Sequence, residues 1–454
     1  MDMEQCIQRQ RAYFATGETK EVAFRKKALQ KMKDAVRARE SELLHALRQD
    51  LNKPPMEGYM TEVGMVLEDI NYALRHVEKW ARPRFVPTPV SQFPARSYIW
   101  PEPYGVVLVM APWNYPFQLC LEPLIGAIAA GNCAIIKPSA YAPNTSQAVA
   151  SLIASCFQPE YVTVVQGGRE QNRALLEQKL DYIFFTGSVT VGKEVMAAAA
   201  RTLTPVSLEL GGKSPCIVAD SADIPLAAKR IAFGKFLNGG QTCVAPDYVL
   251  VQKGCKGRLI KAIAHNIQEF FPQGMGEDYP AIINEKHFAR LIGLMEGEHV
   301  AIGGQSDPAR CMIAPTVLDQ VSWDAPIMQE EIFGPILPVL EFENIDQAIR
   351  CIKARPNPLA LYLFANDRQT QRQVLQEVSF GGGCINDTIM HLATPYMGFG
   401  GVGQSGMGSY HGKCSFDTFS HEKSILKKAN WLDLPMRYRP YTKKKENMVR
   451  KFLG

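Results

Sequence analysis

Between Gly105 and Phe271 the chain alternates short apolar runs with helix-length segments, a rhythm that few folds accept. Val106–Met110, Cys133–Ile136, Val162–Val165 and Asp181–Phe185 read as strands. Leu121–Ala130 and the segment from Ser188 through Ala200 read as helices. Apolar runs without polar alternation are strands covered on both faces, and strands linked by helices form parallel sheets. After Gly211 the pattern restarts with strand Cys216–Ala219, helix Ile224–Leu237, strand Tyr248–Val251 and helix Lys256–Phe271. The expectation is an α/β chain with two sheet-centred parts.

The flanks differ. Residues 20–50 carry a helical stripe of Phe24, Ala28, Leu29, Met32 and Val36, which Lys53-Pro54-Pro55 ends. A second helix is expected from Thr61 to Trp80. Pro83, Pro87, Pro89 and Pro94 exclude helix between Arg82 and Ser97, leaving an extended connection or an edge hairpin. Residues 398–412 hold seven glycines around His411, and Ser415–Ser420 reads as a strand.

At 454 residues and 46% hydrophobic, the chain can bury more than one core. Its 11 cysteines form no CxxC pair and its eight histidines no HExxH, which argues against a disulfide framework and against metal. Free thiols fit a reducing compartment, so a cytoplasmic protein is expected. Met1-Asp2-Met3-Glu4-Gln5 does not open a signal peptide, and no apolar run reaches the ~20 residues that span a bilayer. The net charge of +5 includes +4 on residues 443–451 alone. A nearly neutral body argues against a nucleic-acid-binding face. The basic tail, 433–454, reads as a solvated end, with weak attraction to anionic lipid as the other reading.

Two motifs carry chemistry. Gly239-Gly240-Gln241-Thr242-Cys243 stands 34 positions, cysteine to glutamate, after Leu208-Glu209-Leu210-Gly211-Gly212. A thiolate nucleophile needs an exposing backbone and groups that stabilise negative charge, and a carboxylate can activate the water that frees the product. The ordinary roles are a buried free thiol, as expected of Cys120, Cys133, Cys156 and Cys216, and a salt-bridged strand carboxylate. The Gly-Gly ahead of Cys243 packs poorly but permits close ligand approach. Phe185-Thr186-Gly187-Ser188 ends a strand and opens a helix that includes Gly192, a place suited to pyrophosphate or to simple N-capping. It is not a GxGxxG fingerprint. Lys137 ends another strand, where it can meet a ribose or be merely solvated. Asn114, between prolines, can donate to an oxyanion or serve a turn. Glu331 and Phe333 in Glu330-Glu331-Ile332-Phe333-Gly334-Pro335 are either ribose and nicotinamide contacts or a surface acid and a core ring.

Taken in order over residues 5–430, these motifs resemble the aldehyde dehydrogenase superfamily, and its short class-three branch most closely. Gly240 through Tyr248 and His411-Gly412-Lys413 through His421 carry the branch resemblance. It implies a variant Rossmann cofactor domain (1–80 and 105–208), a second α/β catalytic domain (209–412) and a small bridging sheet for oligomerisation (81–104 and 413–432). It further implies a homodimer. The implied roles are Cys243 as nucleophile, Glu209 as base and Asn114 as oxyanion donor, with Lys137 on the adenosine ribose. Thr186, Gly187, Ser188, Gly192 and Gly211 would line the cofactor, and Glu331 and Phe333 its nicotinamide half. Tyr115, Phe233, Leu237 and Phe399, all apolar or aromatic near these motifs, point to aromatic or medium-chain aliphatic aldehydes oxidised to acids. Ala140 stands where many members have a glutamate reading the ribose, so dual use of NAD and NADP is expected without metal. Gly398 and Gln404 also depart from commoner residues. A CoA-acylating dehydrogenase and a non-catalytic cofactor-binding protein are the alternatives; Glu209 speaks against the first, and intact Cys243, Glu209 and Asn114 against the second.

Overall fold

The protein is described by a computed structural model over residues 3–453. Met1, Asp2 and Gly454, parts of the terminal readings above, lie outside the described residues. The first sheet runs, edge to edge, Gly406–Met407, Val206–Glu209, Tyr182–Thr186, Val106–Met110, Cys133–Lys137 and Val162–Val164. All neighbours are parallel except Gly406–Met407, which pairs antiparallel with Val206–Glu209. The chain starts at the centre, moves one way, then returns to build the other side. That reversal is the doubly wound order whose switch point lies beside the first strand. Every residue of Val106–Met110, Cys133–Lys137 and Tyr182–Thr186 is buried, as unbroken apolar runs require.

The second sheet has seven strands in the order His299–Ile302, Thr316–Asp319, Ile336–Phe342, Tyr248–Gln252, Pro215–Val218, Ala360–Phe364 and Gly382–Ile385. The proline-rich stretch forms the expected edge hairpin: Arg84–Val86 pairs antiparallel with Ala95–Pro103. Ser420–Lys428 adds antiparallel to the other side of Ala95–Pro103, giving a three-stranded sheet. Helix Gln118–Ala130 is buried on all sides, against the first sheet and the helices Gly64–Trp80 and Gly412–Thr418.

Two readings of local structure need correction. Ser415–Ser420 is not a strand; it lies mostly in helix Gly412–Thr418, and the strand begins at Ser420. Phe416 and Phe419, three apart, are both buried, a helical spacing that a strand would send to opposite faces. The helical stripe of 20–50 is two helices, Val22–Ala38 and Glu40–Leu51, hinged at Arg39. The basic tail contains a helix, Lys443–Leu453.

Phe419, at 0% exposure, lies just ahead of strand Ser420–Lys428 and ties it to the first sheet by packing on Tyr182 at 5.4 Å and Phe184 at 5.9 Å. Phe419→Ala should lower unfolding stability by roughly 3–5 kcal/mol. Chemical denaturation checks this; an unchanged midpoint would mean the contact contributes nothing.

Candidate active site

The cysteine loop begins where helix Ile224–Phe236 ends. Asn238, Gly239 and Gly240 follow with φ of 53°, 60° and 74°, three successive left-handed residues that turn the chain sharply. Gly240 is obligatory twice over, because a Cβ there would lie 2.2 Å from the Gly334 carbonyl oxygen. Gln241 then clamps the loop. Its Nε2 donates to the carbonyls of Asn238 and Ala281, both at 3.0 Å, and its Oε1 accepts from the Ile283 N–H. Thr242 Oγ1 and the Tyr115 hydroxyl share a hydrogen bond of 2.6 Å, and the Tyr362 hydroxyl donates to the Val244 carbonyl at 2.5 Å. The flanking residues are thus fixed, and Cys243 is left half-buried on a cavity wall.

Asn114 follows strand Val106–Met110 and is 2% exposed. Its Nδ2 donates to the Gln241 carbonyl at 3.0 Å, which uses one of two amide hydrogens. Its own carbonyl accepts from Asn238 Nδ2 at 2.8 Å and from Lys53 Nζ at 3.3 Å. Lys53 is completely buried and pairs with Glu62 at 2.5 Å, and its ammonium lies 4.3 Å from the Tyr115 ring centre.

Glu209 ends strand Val206–Glu209 and is 2% exposed, with both carboxylate oxygens lacking a hydrogen-bond partner among the described residues. Burial pushes its carboxyl well above the ordinary range. Burial likewise pushes the Cys243 thiol up to about 12, with the charges of Glu331 and Glu209 adding. The N–H groups of Cys243 and Val244 hydrogen bond the sulfur and pull the other way.

The expected cofactor residues gather at the carboxyl ends of the first sheet and across from it. Thr186 and Glu209 are register partners on adjacent strands, and the buried Thr186 Oγ1 has no partner among the described residues. Ser188 caps helix Val189–Ala200 by accepting from the Val191 N–H at 3.4 Å. Gly187 donates its N–H to the Glu209 carbonyl. Gly192 lets that helix lie against Leu210, whose side chain a Cβ would meet at 2.6 Å. Lys137 is buried and donates to the Pro138 carbonyl at 2.7 Å; burial draws its ammonium down to about 8.

Across the gap, segment 330–333 is anchored from three sides. Lys213 donates to the carbonyls of Ile327 and Glu330, Asp247 accepts the Ile332 N–H at 2.9 Å, and Arg290 donates to the carbonyls of Glu331 and Ile332. Phe333, at φ 52°, sets its ring edge-on to Trp113 at 5.3 Å. The Glu331 carboxylate reaches so close to Gly211 that a Cβ there would stand 2.0 Å from its oxygen. Burial first, then the charge of Asp247, raises Glu331 to about 8, against the Gly212 N–H and the cations Lys213 and Arg290. An orphaned threonine hydroxyl, an orphaned carboxylate and a glycine cradle around Glu331 are what a group with ribose hydroxyls would complete. The residues present therefore fit a nicotinamide dinucleotide.

Cys243 opens onto a cavity of about 200 Å³. Tyr115, Phe233, Leu237 and Phe399 all line it, so the four residues named from sequence converge. Sequence reasoning missed Met60, Met65, Ile389 and Tyr410, which share that wall. It also missed Lys53 and Glu62. No local signal marks them: a lysine ahead of two prolines and a glutamate in a helical stretch are ordinary until the fold brings Asn114 beside them.

A doubly wound sheet joined to a second α/β half across a half-buried cysteine is the architecture of a thiol-dependent dehydrogenase. The chain belongs to the aldehyde dehydrogenase family, whose pattern matches residues 1–425. It is 50% identical to 4,4'-diaponeurosporen-aldehyde dehydrogenase of Staphylococcus aureus (strain NCTC 8325 / PS 47), over 97% of this chain and 96% of that protein. It is 44% identical to aldehyde dehydrogenase family 3 member A2 of Macaca fascicularis, over 94% of this chain and 88% of that protein. The structure of substrate-bound Staphylococcus aureus AldH is similar at TM-score 0.97 and 49% identity, covering 99% of both chains. An NAD-dependent aldehyde dehydrogenase from Sinorhizobium meliloti is similar at TM-score 0.85 and 29% identity, covering 95% and 88% of the two chains. The class-three resemblance read from the motifs is that of these family 3 relatives. The protein is an enzyme that oxidises aldehydes with NAD(P).

A thiol held at about 12 is almost wholly protonated at neutral pH in the cofactor-free enzyme. Alkylation of the Cys243 peptide by iodoacetamide, followed by mass spectrometry, should therefore climb about tenfold per pH unit from 7 to 10. A plateau below pH 8 would show that the thiolate is already formed.

Proposed function

We propose that Cys243, Glu209 and Asn114 carry out the oxidation, on aromatic or medium-chain aliphatic aldehydes. The observation that carries this reading is the convergence of a half-buried thiol and four apolar or aromatic side chains on one cavity, with Asn114 tied to the same loop. Cys243 sulfur adds to the aldehyde carbon. The free N–H of Asn114 Nδ2 and the Cys243 backbone N–H stabilise the oxygen that becomes charged. Thr186, Gly187, Ser188, Gly192 and Lys137 hold the dinucleotide, with Gly211, Glu331 and Phe333 at its nicotinamide end. The chemistry that the cofactor supplies when bound is acceptance of a hydride. The acyl group left on Cys243 is a thioester. Glu209, orphaned and apolar-walled, takes a proton from the water that hydrolyses it. Removing the Asn114 donor should cost about 10²–10³ in rate. Cys243→Ala should abolish turnover while cofactor binding, followed by fluorescence, persists; turnover retained in that variant would end the reading.

The cavity's lining favours apolar tails: besides the aromatic side chains it includes Met60, Met65, Ile389 and Leu392. No arginine or lysine is among its lining residues to hold a second carboxylate. Benzaldehyde and hexanal should show higher kcat/KM than succinic semialdehyde, and the reverse order in steady-state assays contradicts this.

Dual use of NAD and NADP rests on Ala140, which is exposed and can neither accept from a 2′-hydroxyl nor repel a 2′-phosphate. Asp50, which reaches the following helix, already has both oxygens bonded to Asn144 and Thr145. The ratio of kcat/KM for the two cofactors should lie within about a hundredfold, roughly 2.7 kcal/mol, and Ala140→Glu should move it toward NAD. A wild-type NAD preference beyond that range would require a carboxylate elsewhere.

The first sheet with the N-terminal helices forms the cofactor domain in this reading, 1–80 and 105–208. The second sheet belongs to the catalytic domain, 209–412, which also lends strand Gly406–Met407 to the first. The three-stranded sheet, 81–104 with 413–432, serves homodimer formation. Its outer strand Ser420–Lys428 has an unpaired edge within the chain, which supports that role. A cytoplasmic location is supported by eleven cysteines all in the free state.

A further inference from the structure

Helix Gln118–Ala130, apolar on every side, carries one acidic residue at its most enclosed point. Glu122 is 2% exposed and no arginine or lysine pairs with it among the described residues. Its partners are of another kind. His411 Nδ1 approaches Glu122 Oε1 to 3.2 Å, although that oxygen accepts no hydrogen bond among the described residues; the Gln118 amide donates to Oε2, and the Asp69 carboxyl, from helix Gly64–Trp80, shares a hydrogen bond with Glu122. His411 is itself 3% exposed and its Nε2 has no partner among the described residues. That ring lines the Cys243 cavity, while Asp69 and Glu122 line a second, smaller cavity behind it, between helices Gly64–Trp80 and Gln118–Ala130. Asp69 is only partly buried.

Other groups act on the three from the packed elements. Glu68 acts on Asp69 from its own helix, Glu209 on Glu122 from the first sheet, and His391 on His411 from the loop beside it; the Leu392 carbonyl also faces the His411 ring. The Tyr410 ring packs against His411 at 4.4 Å. Two carboxyl groups sharing a hydrogen bond in a buried site hold a proton between them.

We propose that His411, Glu122 and Asp69 form a proton relay from the Cys243 cavity to the opposite side of helix Gln118–Ala130. The proposal rests on the assignment of Cys243 and Glu209. Aldehyde, water and NAD(P)⁺ give carboxylate, NAD(P)H and two protons, which must leave an apolar cavity on each turnover. His411 Nε2 accepts a proton arriving from the Glu209 side, and Nδ1–H passes its own proton to Glu122 Oε1. Glu122 passes its proton to Asp69, which releases it to solvent. No electrons move, and the imidazole returns to its starting form when the ring protons re-equilibrate. Burial keeps His411 neutral, down at about 3, so acceptance at Nε2 and release from Nδ1 occur together, with no imidazolium formed. Burial and the charge of Glu68 put Asp69 at about 6, against its hydrogen bond from Glu122, a value suited to release near neutrality.

His411 touches the substrate cavity; Glu122 and Asp69 act through it and are positioning residues. The test uses the full chain with NAD and hexanal, in H₂O and D₂O, over a series of imidazole buffer concentrations. Asp69→Asn keeps the shape of the outer acceptor, and Glu122→Gln keeps that of the middle one. In both, steady-state turnover should fall by roughly tenfold or more, the solvent isotope effect should grow, and rising imidazole should restore the rate. The first-turnover burst of NADH should stay stoichiometric. Turnover and isotope effect unchanged in both variants would overturn the relay, as would a loss that imidazole does not restore while thermal unfolding matches wild type. Should Glu122→Gln not fold, Asp69→Asn decides by the same readouts. Turnover retained in Cys243→Ala would instead overturn the assignment of Cys243 and Glu209 on which the relay depends.

Discussion

The geometry of the site depends on one buried ion pair, Lys53 with Glu62. Both side chains are at 0% exposure, where desolvation costs several kcal/mol per ion unless every charge is matched. Here they are matched. The remaining Glu62 oxygen accepts from the N–H groups of Phe117 and Gln118, at the start of helix Gln118–Ala130, where positive partial charge collects. Lys53 meets the Asn114 carbonyl and the Tyr115 ring. A short stretch near the N-terminus thereby sets the turn from Asn114 to Gln118, and through it both the Asn114 amide and the start of the helix that bears Glu122. Neighbouring Glu57 accepts the Asn238 N–H at 2.8 Å, so the same stretch also grips the cysteine loop.

Burial governs the resting electrostatics of the site. Burial raises Cys243, Glu209 and Glu331 alike. Each charge opposes the next, so the resting thiol keeps its proton. A cationic group brought beside the sulfur would reverse that balance. The same burial gives the Glu209 carboxylate a higher proton affinity than an exposed one would have.

Much of the architecture was legible because it is written locally. Buried strands announce themselves as unbroken apolar runs, and the prolines from Pro83 to Pro94 left an extended connection or a hairpin, of which the structure has the hairpin. Ser415–Ser420 misled because six residues sample both periods, and the Phe416–Phe419 spacing decides for helix only once a buried face is known. The cysteine loop was legible through its glycines, since three left-handed residues in a row leave a mark in the sequence. Tyr115, Phe233, Leu237 and Phe399 could be named because they sit next to such marks. Lys53, Glu62, Glu122 and His411 could not be assigned by any local rule: Lys53 and Glu62 sit nine apart but act on Asn114 to Gln118 far along the chain, and Glu122 meets His411 across nearly three hundred residues.

In the proposed reaction the acyl group passes through Cys243 and waits there for Glu209. The most direct measurement is rapid-quench mass spectrometry of Glu209→Gln mixed with hexanal and NAD. The account predicts one hexanoyl group on the Cys243 peptide, formed in step with one equivalent of NADH and lost only slowly. NADH produced over many turnovers with no acyl group on Cys243 at any time would contradict it.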